Sequence, residues 1–126
     1  MKKTIVATES APAAVGPYSQ AVSAGELVFC SGQIPLDPGS GELVQGSIAD
    51  QTRRCMQNLA AVLEAAGSSL DNIVQVRALL TDIQDYAEFN EAYAEFVGGE
   101  PPARAAFAVS ALPKGASVEI ECIAHL

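Results

Sequence analysis

Tryptophan is absent from these 126 residues, histidine occurs once, at position 125, and cysteine three times. Cys30, Cys55 and Cys122 make no CxxC pair and there is no HxxxH, which argues against a metal site of the usual Cys/His kind. An odd cysteine count without a secretory segment fits a reducing cytoplasm, where buried thiols pack as small hydrophobes. The opening MKKTIVATES is no signal peptide, because Glu9 follows an apolar-leaning run only from Thr4 to Ala7, well short of the about 7–15 residues needed. No stretch approaches about 18 uncharged apolar residues, so no membrane span is expected. Cations are also scarce: seven Lys and Arg face fifteen Asp and Glu, for a formal net charge of -8. That balance argues against a broad surface for nucleic acid or anionic lipid.

What is present suits one compact α+β domain, residues 1–126. Ile48, Thr52, Cys55, Leu59, Val62, Leu63 and Ala66 recur at helical spacing and predict a helix over Ser47–Ala66. Ser47 with Asp50 forms its N-terminal cap, and Gly67 its stop. A second helix is predicted over Tyr86–Val97, its stripe of Tyr86, Phe89, Tyr93 and Phe96 read as core packing and Gly98-Gly99 as its end. Strands are predicted at Lys3–Ala7, Val22–Ser23, Leu27–Ser31, Val74–Thr81, Ala105–Val109 and Val118–Ala124, with Asp37-Pro38-Gly39-Ser40-Gly41 as a surface turn. This order implies a mostly antiparallel or mixed sheet with both helices on one face.

Alternation in the strands assigns the faces. Val118, Ile120, Cys122 and Ala124 lie towards the helices, and Glu119, Glu121 and Ile123 away from them. Gln75, Arg77 and Leu79 likewise leave the core. A face mixing charges with large apolar groups has the composition of a surface covered by another subunit, so an oligomer is expected. Among the cations Arg104 stands apart, between the Pro-rich Pro101-Pro102-Ala103 and the apolar run AAFAV. A guanidinium in such surroundings needs a carboxylate. Glu119 or Glu121 could supply it as a structural salt bridge; alternatively Arg104 holds a substrate carboxylate while a strand glutamate moves protons.

Four ordered motifs bear on that choice: Gly16-Pro17-Tyr18-Ser19-Gln20-Ala21, Ser31-Gly32-Gln33-Ile34-Pro35, Pro102-Ala103-Arg104 and Val118-Glu119-Ile120-Glu121-Cys122-Ile123-Ala124. With the Leu112–Gly115 turn they resemble, over essentially the whole chain, the Rid (YjgF-type) family and most closely its RidA subgroup of enamine/imine deaminases. The resemblance implies a chorismate-mutase-like α+β subunit in a homotrimer, with sites in the clefts between subunits. It implies that Arg104 takes the substrate carboxylate and Glu119 handles water and proton transfer. Tyr18, Ser31, Gly32 and Asn90 would line the pocket, and Ala106 would contribute its backbone. The implied substrate is a 2-iminoacid such as 2-iminobutanoate or 2-iminopropanoate, hydrolysed to a 2-ketoacid and ammonia with no metal or organic cofactor.

Two departures qualify the resemblance. Ala106 stands where many RidA proteins carry cysteine, so no thiol role transfers to it. The loop from Val97 to Pro102 is short for the subgroup, which bears on pocket width. Two other functions are weighed: a ribonuclease or translation inhibitor, which the net charge and the single terminal His125 disfavour, and a non-catalytic small-carboxylate binder or holdase.

Overall fold

Strands β1 (Lys3–Val6), β2 (Ala21–Ala24), β3 (Leu27–Gln33), β4 (Ile73–Leu80), β5 (Ala103–Ala108) and β6 (Val118–His125) form one six-stranded sheet in the order β1-β2-β3-β6-β4-β5. The computed structural model describes residues 1–126. Every neighbouring pair is antiparallel except β4 and β5, which run parallel. A parallel pair needs a crossover, and helix α2 (Tyr86–Ala94) lies in the one between them. Helix α1 (Ile48–Ala65) links β3 to β4, so the architecture is the expected mixed α+β.

Helix α1 begins where the sequence says it should. Ser47 Oγ accepts from Asp50 N at 3.1 Å, and the Asp50 carboxylate accepts from Ser47 N at 3.2 Å, a reciprocal cap for two otherwise unpaired donors. Gly67, just past the helix, takes φ 85°, the left-handed conformation that ends a helix at low cost. Helix α2 stops three residues earlier than predicted. Its last turn tightens into i→i+3 bonds, from Phe96 N to Tyr93 O and from Val97 N to Ala94 O, before the glycines are reached.

The core lies between the helices and one face of the sheet. Val118, Ile120, Cys122 and Ala124 of β6 and Val76, Ala78 and Leu80 of β4 pack in one buried cluster with Cys55, Leu59, Leu63 and Phe89 of the helices. Leu59 and Leu63 are fully buried, each contributing about 1.5–3 kcal/mol. On the opposite face, register sets Phe29 against Ile123, Arg77 against Glu121, and Leu79 between Glu119 and Phe107. Phe29 and Phe107 are 44% and 45% exposed there, in the mixed composition anticipated from the alternation.

Strand β3 runs two residues beyond its predicted end because it carries an irregularity. Its register against β6 shifts between Cys30 and Gln33, and Ser31 and Gly32 fall within the shift.

Candidate active site

The segment before β2 is pinned by one side chain. Gln20 is buried; its Oε1 accepts from Thr8 N at 2.6 Å, and its Nε2 donates to the carbonyls of Thr8, Ala11 and Pro12 at 3.0, 3.4 and 2.7 Å. Those bonds fix the wall formed by residues 8–12. Gly16 turns the chain at φ 127°, a conformation open to glycine, and brings the Tyr18 ring beneath it. Tyr18 Oη accepts from Val15 N at 3.3 Å, and Ser31 Oγ donates to Ser19 O at 2.6 Å, tying the β3 irregularity to this segment.

Tyr18, Ser31, Gly32 and Glu119 line one cleft of about 550 Å³, with Lys114 and Glu121 also on its walls. Gly32 is required by a close approach: a Cβ there would overlap the Glu119 carboxylate. Glu119 is half-buried and makes no ion pair or hydrogen bond within the chain, whereas Glu121 pairs with Arg77. Burial, and secondarily the charge of Glu121, push the Glu119 carboxyl above its usual range. A raised proton affinity suits a carboxyl to take a proton from water and hand it on.

Arg104 lies on the other side of the sheet. Parallel register places it beside Val76, which is itself opposite Cys122, so it shares the helix-facing side rather than the side of the two glutamates. The expected salt bridge to Glu119 or Glu121 is therefore ruled out within one chain. The guanidinium is instead ringed by Tyr86, Phe89 and Tyr93, with centroids at 5.7, 5.5 and 5.0 Å, and Arg104 Nη2 donates to Tyr86 Oη at 2.9 Å. Arg104 and Asn90 line a second cleft of about 310 Å³ whose mouth is formed by Val97, Gly98 and Pro101. Ala106, two residues on, is half-buried against the core and lines neither cleft.

The structure thus gathers Tyr18, Ser31, Gly32 and Glu119 on one side and Asn90 with Arg104 on the other. His125 stands apart, exposed at the chain end with Nδ1 on Leu126 O at 2.8 Å. The aromatic stripe of α2 needs correcting at one position. Phe89 and Tyr93 are buried and Phe96 is half-buried, but Tyr86 is 40% exposed and serves Arg104. Its i, i+3, i+7 spacing with Phe89 and Tyr93 was visible in the sequence, yet a helical stripe does not say which member leaves the core. Gln20 and Lys114 were also missed as parts of the site walls. A glutamine inside GPYSQA was the available signal for the first; nothing local marked the second.

A mixed sheet with helices on one face, a free glutamate on the other and an arginine without a carboxylate partner defines a small α+β protein. The chain belongs to the family described as Endoribonuclease L-PSP, whose profile matches residues 8–126, and this is the Rid (YjgF-type) family of the sequence resemblance. A RutC family protein of Pyrococcus horikoshii is 51% identical over 123 residues, covering 98% of each chain. The 2-iminobutanoate/2-iminopropanoate deaminase of Mus musculus is 45% identical over 122 residues, 97% of this chain and 90% of that one. Among solved structures, Escherichia coli TdcF with bound serine superposes with a TM-score of 0.93 at 40% identity, covering 98% of both chains.

Proposed function

We propose that the protein hydrolyses reactive 2-imino and enamine acids, 2-iminobutanoate and 2-iminopropanoate among them, to 2-ketoacids and ammonia. One observation carries the reading: the cation and the carboxylate that such a reaction needs are each left without a charged partner, on opposite sides of the same sheet. A homotrimer in which the β5 edge of one subunit abuts the open sheet face of the next would bring Arg104 of one copy to Glu119 of the other. The names of the mouse deaminase and of the serine-bound E. coli structure support a small carboxylate as the ligand.

In this reading Arg104 fixes the substrate carboxylate through paired N–H donors, which sets C2 near Glu119. Glu119 accepts a proton as water oxygen bonds to C2 of the iminium, giving a carbinolamine. It returns that proton to nitrogen; the C–N bond breaks, neutral ammonia leaves, and the hydroxyl proton released as the carbonyl forms passes through Glu119 to the ammonia, giving ammonium. Tyr18 and Ser31 offer hydroxyls to the water and to the departing nitrogen. An iminium is already electrophilic, so positioning and proton transfer suffice.

The test is ketoacid release from freshly generated 2-iminobutanoate. The wild type is expected to accelerate hydrolysis well above buffer, and Arg104→Ala to lower kcat/KM by about 10²-fold or more, the usual order for losing a charged, paired contact. Absence of any acceleration by the wild type would sink the assignment. RNA cleavage, which the family's description suggests, has less physical support: the net charge is -8, and two of the seven cations, Arg53 and Arg77, are already paired with carboxylates.

A further inference from the structure

Phe89 and Tyr93 are buried and their places are explained by the core; Tyr86 is not explained that way, being 40% exposed. What it does have is the one directional contact made by the Arg104 side chain. The three rings attract the guanidinium through their faces, which restrains where the cation sits but says little about how its N–H groups point. The 2.9 Å bond from Arg104 Nη2 to Tyr86 Oη fixes that remaining freedom. Asn90 lies one turn further along α2 from Tyr86. The Asn90 amide and the adjacent Arg104 cation hold the phenol below its usual range. The Arg104–Tyr86 contact beside the Arg104 cleft thus joins strand β5 to helix α2 rather than resting on a loop.

We propose that Tyr86 is the positioning residue for Arg104. Its hydroxyl occupies one N–H of Nη2 and turns the rest of the guanidinium towards the cleft, where a substrate carboxylate is taken. This inference rests on the function proposed above. Because orienting a donor pair strengthens the grip on a carboxylate in ground state and transition state alike, its signature is uniform binding: KM changes and kcat does not.

Tyr86→Phe removes the hydroxyl and keeps the ring. With 2-iminobutanoate it is expected to raise KM about 5–10-fold, the order of one net hydrogen bond, with kcat within about twofold of wild type. The dissociation constant of 2-ketobutanoate, an unreactive carboxylate, should rise by the same factor. In an Arg104→Lys background the same substitution should change ketoacid binding less than about twofold, since an ammonium has no planar fork to turn. Wild-type KM and ketoacid affinity in Tyr86→Phe would overturn the proposal. So would an equal loss in the Arg104→Lys background, which would mean that the hydroxyl acts on the ligand without Arg104. A wild type that binds 2-ketobutanoate but turns over no iminoacid would instead remove the proposed reaction, leaving the binding comparison to decide the role of Tyr86.

Discussion

Glu119 pays for nothing within its own subunit: its carboxylate is half-buried, lacks a partner and faces the charge of Glu121. Because its folded-state pKa is raised, ionisation opposes folding. The contribution it makes while protonated is complete below the unfolded value and is lost as pH rises through the folded one. Glu119→Gln is therefore expected to melt at or above the wild-type temperature at pH 7–8, with the difference closing in acid, while ketoacid release collapses. Thermal melts and rate measurements across pH check both halves, and a variant less stable than wild type at pH 8 would contradict the argument. At this scale the sequence singled out the charged groups that matter but not whether they pair. Arg104 stood out by its Pro-rich approach and apolar run, and Glu119 by its place in an alternating strand. The expected salt bridge from Arg104 to Glu119 or Glu121 failed within the chain, because strand periodicity gives the side a residue faces within its own strand but not the register between strands.

Elements were more legible than the arrangement of their side chains. All six strands and both helices lie within a few residues of where hydrophobic period and turn residues place them. The departures have local causes: a shift of register in β3 that period-two reading cannot see, and i→i+3 bonds that close α2 early. The start of α1 was set by two residues, and the structure joins them in a reciprocal cap. Ser47→Ala is accordingly expected to lower the unfolding free energy by about 1 kcal/mol. Urea melts should register that loss with kcat for the proposed reaction little changed, since Ser47 lines neither cleft.

At the scale of the molecule, the order β1-β2-β3-β6-β4-β5 is what separates the two clefts, and it could not be read from the chain. Inserting β6 between β3 and β4 brings Glu119 beside the Ser31-Gly32 irregularity, while the β4-α2-β5 crossover places Arg104 under the helix that supplies its aromatic ring of neighbours. The residues named by the motif resemblance fall in two clefts of one copy, Tyr18, Ser31, Gly32 and Glu119 in one and Asn90 and Arg104 in the other, with Ala106 in neither.

That separation has a genetic reading. On the proposed arrangement, Arg104→Ala and Glu119→Gln each damage a different half of a site shared between copies, so subunits carrying them should rescue one another. Random co-assembly of equal amounts into rings would leave about one quarter of the sites with both wild-type groups, and a corresponding share of the activity. Co-expression followed by an assay of purified mixed oligomers measures it. Recovery no greater than the sum of the two parents would mean that Arg104 and Glu119 do not meet across a boundary between copies. Recovery near one quarter would make each allele recessive to the other, and heredity would then report what a single subunit cannot.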